Sequence, residues 1–284
     1  MKNLGFKEYP FKIDVENISQ LGFYKTKNAV FYLEINYHLK HSVPTLLLDA
    51  DYPSFKNLNE FYGKDNKNVF FKSIPILEAD VKTFELINNQ LAKDKNNYYY
   101  NGNKIECDYQ SFETIEDYKI FYKDKNTLFS VREVREGKVG MRYEIITTLV
   151  AIKKSSPKTF KIISSVWAKD DNLVYVYGEP FKKADVNTFE YLHIKSHHDW
   201  AKDKNHLYNS SVKKIVKGIN GSTFQILNKF WGKDENNVLF FHRERIQSSI
   251  DSNTFKITDD NGGAIDKNYV YSVDGSGKLK KKKR

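Results

Sequence analysis

Lys93-Asp94-Lys95-Asn96-Asn97-Tyr98-Tyr99 is the stretch that decides the fold, because its opening four residues return along the chain. Intact copies stand at 123–126 and 202–205. Altered copies are Lys64-Asp65-Asn66-Lys67, Lys169-Asp170-Asp171-Asn172, Lys233-Asp234-Glu235-Asn236 and Ile265-Asp266-Lys267-Asn268. A weaker copy, Lys25-Thr26-Lys27-Asn28, lies near the start. Aromatic and β-branched residues follow nearly every copy, so each reads as a tight turn feeding a strand. Self-similarity of this kind, at about 30 residues, marks an array of one small unit.

A second signature, Asp-x-x-Thr/Ser-Phe, precedes each stamp. Its copies end at Phe55, Phe84, Phe112, Phe189 and Phe255, with variants led by Ser156 and Asn220 that end at Phe160 and Phe224. Asp14-Val15-Glu16-Asn17-Ile18 is a degenerate eighth copy. The step to the stamp's Asp is usually 14 residues, as from 51 to 65, 80 to 94, 156 to 170 and 220 to 234. Asp-Lys-Asn predicts a three-residue hairpin loop with Asn in the left-handed position. Asn101-Gly102 predicts a type I′ turn shortly after. Each unit is then a meander of three or four short strands. Stacking neighbours bury the apolar face that one unit cannot bury alone.

The anchor phenylalanines are expected to form one stacked row. Tyr62, Leu91, Tyr122, Trp167, Trp200 and Trp231 are expected to form another. The fold expected is all-β: a tandem β-hairpin array of about eight units in an open or spiral stack, with a closed propeller-like ring as the alternative. Residues 1–60 read as divergent N-terminal units, 61–277 as the array, and 278–284 as a basic disordered tail.

The 284 residues include 20 Phe, 19 Tyr and 3 Trp, a composition that favours strands. The formal charge is +10, but six basic groups fall within Lys278 to Arg284, and about +4 remains without them. Cys107 is the only cysteine, so no disulfide forms within the chain. Neither an apolar leader core nor an 18-residue apolar run occurs, which makes the cytoplasm the default; a chain trimmed of its leader would read the same.

The stamp and its aromatic sequel resemble the DKNYY family, most closely at Asp94-Lys95-Asn96-Asn97-Tyr98-Tyr99 and Asp266-Lys267-Asn268-Tyr269-Val270-Tyr271. The resemblance spans roughly residues 50 to 275 and implies a repeat protein. It brings no activity, cofactor or site residue with it.

The residues themselves point away from chemistry. No glycine-rich nucleotide loop is present, and the stamp lacks the further ligands of a calcium loop. The repeated Asp residues are explained as turn residues. No metal or cofactor is expected, and the expected function is a non-enzymatic protein-interaction module. A cytoplasmic immunity protein, the antidote to a toxin, is one form of it. Two segments break the rhythm: Val134 to Val150, and His193 to Asp199. Candidate partner contacts are therefore Arg132, Arg135, Arg142, His197 and His198. The alternative is association with nucleic acid or an anionic membrane surface through the basic tail.

Overall fold

The computed structural model describes residues 22–25, 28–36, 41–115, 120–139, 142–194, 199–210, 214–243, 245–247 and 249–284. These form eight small antiparallel sheets in tandem. The first has three strands and each of the others four, and none closes into a barrel. By compactness the chain divides into two units: residues 1–110 with 132–149, and residues 111–131 with 150–284. Among the described residues no helix is long and apolar enough to cross a membrane.

The third sheet shows the repeat. Its strands are Glu85–Leu86, Leu91–Lys93, Tyr98–Tyr100 and Asn103–Ile105. Lys93 pairs with Tyr98, so the stamp closes a four-residue loop rather than three. Among the described residues, positive φ at non-glycine positions is confined to Lys72, Asn101, Lys154 and Tyr177, so no stamp Asn is left-handed. The loop is held instead by the Asp carboxylate. Asp94 Oδ1 accepts the N–H groups of Asn96 and Asn97, both at 2.8 Å. The N–H of Asp94 itself donates to Asn97 O at 2.9 Å.

The other oxygen explains why the two signatures travel together. Asp94 Oδ2 accepts the N–H of Asp80, the leading residue, at 2.8 Å. The same bond runs from Asp51 to Asp65, Ser156 to Asp170, Asp185 to Asp203, Asn220 to Asp234 and Asp251 to Asp266. The signature's hydroxyl accepts in return: Lys95 N–H donates to Thr83 Oγ1 at 3.1 Å. The stamp's Asp is thus a buried clamp between two turns, and every copy from Asp65 to Asp266 is 5% exposed or less. In four sheets a Tyr five residues on completes the shell: Tyr99, Tyr175, Tyr208 and Tyr271 donate to the Oδ2 atoms. Phe70, Phe129 and Leu239 stand there in the others.

Burial pushes the Asp94 carboxyl upward, but the Asp80, Asn96 and Asn97 amides and the Tyr99 hydroxyl together hold it below the usual range. Asp203 and Asp266 are lowered against burial in the same way.

Stamp lysines tie one sheet to the next. Lys64 Nζ donates to Val81 O and Phe84 O at 3.0 and 3.2 Å. Lys169, Lys202 and Lys233 reach the corresponding turns of their following sheets.

The two expected aromatic rows are one interleaved set. In the first unit Phe84 lies 5.8 Å from both Tyr62 and Tyr99. In the second, Phe160 lies between Phe121 and Tyr175, Phe189 between Trp167 and Tyr208, and Phe255 between Trp231 and Tyr271. Each of these four anchors bridges the second strand of the preceding sheet and the third strand of its own. Such ring pairs add about 0.5–1.5 kcal/mol beyond area burial. In the fourth sheet the bridging residue is Phe121, not Tyr122, because it occupies the place two residues before the stamp Lys.

The expected disordered tail is also corrected. Leu279–Lys283 is the fourth strand of the eighth sheet, paired from Tyr269↔Lys283 to Val273↔Leu279. A lysine run is compatible with an edge strand because the backbone pairs on one side while the side chains stay in water.

Candidate functional site: a groove beside a long hairpin

The third and fourth strands of most sheets form a stub. In the second sheet these strands are Val69–Phe71 and Ile74–Pro75; in the third, Tyr98–Tyr100 and Asn103–Ile105. Asn101 and Gly102 have φ of 46° and 76°, the type I′ turn expected from the sequence. Gly102 is required on two counts, since a Cβ there would also stand 2.5 Å from Phe71 Cβ.

Two sheets lengthen this same hairpin. In the first sheet it is Val30–Asn36 with His41–Leu46; in the fourth, Leu128–Val139 with Arg142–Ala151. The closing bond is common to short and long versions: Ile76 N–H to Val69 O, Leu47 N–H to Val30 O, Ile152 N–H to Leu128 O. The long hairpins are therefore extensions of an existing ribbon.

Within the first unit the short turns are held to both long hairpins. Lys72, at the second sheet's turn, forms an ion pair with Glu34 of the first sheet's hairpin. Asn101, at the third sheet's turn, donates through Nδ2 to Thr147 O at 3.0 Å. A groove of about 470 Å³ lies beside this contact. Ile145, Ile146 and Thr147 form one wall, and Ile74 and Pro75 line it from the second sheet. Phe61 and Phe71, with rings 6.2 Å apart, line it further, and Gln90, Asn101 and Asn103 add amide groups.

Hydrogen bonds fix this lining. Tyr62 hydroxyl donates to Gln90 O at 2.8 Å and accepts the N–H of Gly102 at 2.9 Å. Burial raises the Tyr62 phenol, and the Gly102 bond opposes it without cancelling it. Lys72 and Asn101 N–H groups donate to Phe61 O and Gln90 O at 2.6 and 2.8 Å. Against this ordered frame Ile74 and Ile145 are 59% and 62% exposed.

Of the residues expected to contact a partner, Arg132 is half-buried and Arg135 exposed on Leu128–Val139, and neither lines the groove. Arg142 opens the strand Arg142–Ala151, but its side chain lies outside the described residues, as do His197 and His198 altogether. Charge guided that choice, whereas the groove is built from apolar and amide side chains. The usable signal was the apolar, β-branched run Ile145-Ile146-Thr147-Thr148-Leu149-Val150 inside the first rhythm break. Among the described residues no group of three His, Cys, Asp or Glu side chains is placed to hold a metal ion.

No curated protein and no solved structure matches this chain. Among protein families, the match runs over residues 72–133 and 151–279 and leaves out 134–150, the body of the long hairpin. Matched over most of its length by coupled copies of the motif, the chain belongs to the DKNYY family.

Proposed function

We propose that this chain is a non-enzymatic protein-interaction module that receives a partner polypeptide in the groove beside Arg142–Ala151. The observation that carries it is the pair of exposed isoleucines, Ile74 and Ile145, on a groove whose lining is otherwise ordered. Contiguous apolar surface rimmed by polar groups is characteristic of interaction sites. One wall comes from the segment the family match leaves out, and repeat arrays bind through surfaces that insertions build on one face. The repeated carboxylates favour a structural role: Asp94 already accepts four donors, which leaves it no free position for proton transfer.

The test is affinity capture from the native cell with wild type and with the Ile74→Asp/Ile145→Asp variant. A specific partner should be retained by wild type and lost from the variant at equal folding by circular dichroism. Retention by both, or by neither, overturns the reading. The antidote form predicts further that the captured partner is a toxin whose activity the wild type neutralises.

A second reading rests on Lys280 to Arg284, all exposed on the last strand. This fixed basic strand associates with nucleic acid or an anionic membrane. Retention on DNA or anionic vesicles should then fall steeply with salt and vanish when these lysines become glutamines.

A further inference from the structure

We infer that the groove recognises its partner by β-strand addition: an uncharged, extended segment of the partner pairs with the outer edge of Arg142–Ala151. This inference rests on the docking reading above and specifies its mode. Arg142–Ala151 is the outermost strand of the fourth sheet, so among the described residues one side of its backbone has no neighbouring strand. Antiparallel pairing alternates bonded and outward-facing residues. Continued from the bond of Ile152 N–H to Leu128 O, the alternation turns the N–H and C=O groups of Ile145, Thr147 and Leu149 outward. The Asn101 side-chain amide bonds Thr147 O from outside the sheet, which fixes that direction and leaves the pairing to the outward groups on either side of Thr147 O.

Most edge strands are protected by being short or charged. The fourth strands of the second and fifth sheets have two residues, and that of the eighth is Leu-Lys-Lys-Lys-Lys. Arg142–Ala151 has ten residues, and from Ile145 onward it carries no charge. It is a long, β-branched edge facing a groove, which is the template that strand addition uses.

The lining decides the occupant's chemistry. Its one charged residue, Lys72, is already paired with Glu34, so the groove presents no unmatched charge to a ligand. Gln90, Asn101, Asn103 and Thr147 add polar groups among the apolar ones. An extended peptide pairs its backbone with the strand edge and fills the apolar surface with alternate side chains. A lipid chain would leave the outward backbone groups of the strand edge without partners, which is costly.

The experiment uses the full chain, ¹⁵N-labelled, with the peptide acetyl-Ser-Ile-Thr-Val-Thr-Ile-Ser-amide as probe. A second peptide of the same sequence is N-methylated at alternate residues, keeping side chains but removing strand donors. The expected result is shifts at Ile145 and Thr147 amides with the first peptide and at least tenfold weaker binding of the second. A third peptide with Glu replacing both Thr residues should also bind more weakly. Equal affinity of the N-methylated peptide overturns strand addition while leaving side-chain docking in the groove intact. Absence of shifts at millimolar peptide, or shifts driven only by phosphatidylcholine vesicles, also overturns it. The docking reading itself is judged separately, by whether Ile74→Asp/Ile145→Asp loses the captured partner.

Discussion

Replacing Asp94 by Asn tests the central claim about the repeat, that a buried carboxylate rather than an Asn conformation joins its two signatures. The change is nearly isosteric, so packing is preserved and the hydrogen bonds alone are altered. The Asn oxygen can keep the amides of Asn96 and Asn97, now without charge assistance. The Asn NH₂ replaces Oδ2, where Asp94 accepts from Asp80 N–H and Tyr99 hydroxyl. Tyr99 can adapt, because its hydroxyl also reaches Glu78 O at 3.2 Å. The Asp80 amide cannot, and it is left facing a donor. An orphaned amide costs about 1–3 kcal/mol. Losing charge assistance on the two remaining bonds adds about 1 kcal/mol. The total of roughly 2–4 kcal/mol is a large part of the 5–15 kcal/mol of a typical domain. Urea unfolding read by tyrosine fluorescence measures it, and hydrogen exchange localises it to the third sheet. A loss below about 0.5 kcal/mol, within the range of an ordinary surface change, would refute the clamp. Asp80→Asn, at a half-buried carboxylate paired with Lys95, should destabilise less than Asp94→Asn.

Tyr175→Phe should cost only about 1 kcal/mol in the same assay, because Asp170 keeps the amides of Ser156, Asn172 and Leu173 and Phe70 already fills the matching place in the second sheet. Gly102→Ala forces a side chain into positive φ and against Phe71, and should destabilise by about 1–3 kcal/mol with shifted resonances at the groove. Acid titration of stability should show a limb set by Asp94, Asp203 and Asp266, whose folded carboxyls lie below the ordinary value. The unfolded chain then binds protons first, so their contribution is present above about pH 4 and is lost as pH falls through the folded values. Asp94→Asn should flatten that limb; an unchanged limb contradicts the assignment. On the basic side, burial first and Asp170 second raise the Tyr175 phenol, so stability should fall above about pH 10, and Tyr175→Phe should reduce the fall.

The all-β repeat class, the eight units, the coupling of the two signatures and the Asn101-Gly102 turn were legible in the sequence. All are local: they follow from residue spacing, turn chemistry and strand preference, which act over a few residues. The sequence also marked Val134 to Val150 as a departure from the rhythm, though not which of its residues would matter. Why the two signatures travel together was not legible, since it depends on Asp80 N–H meeting Asp94 Oδ2 across a turn. The same holds for the single interleaved aromatic set, where Phe84 serves two sheets at once. The lysine run from 280 to 283 looked disordered because charge alone does not reveal a pairing partner; Tyr269 to Ser272 supplies one. Sequence by itself therefore determined the unit and its number. Only the tertiary structure decided that the long fourth-sheet hairpin meets the turns of the second and third sheets, because Asn101 reaching Thr147 joins residues 46 positions apart that no local preference relates.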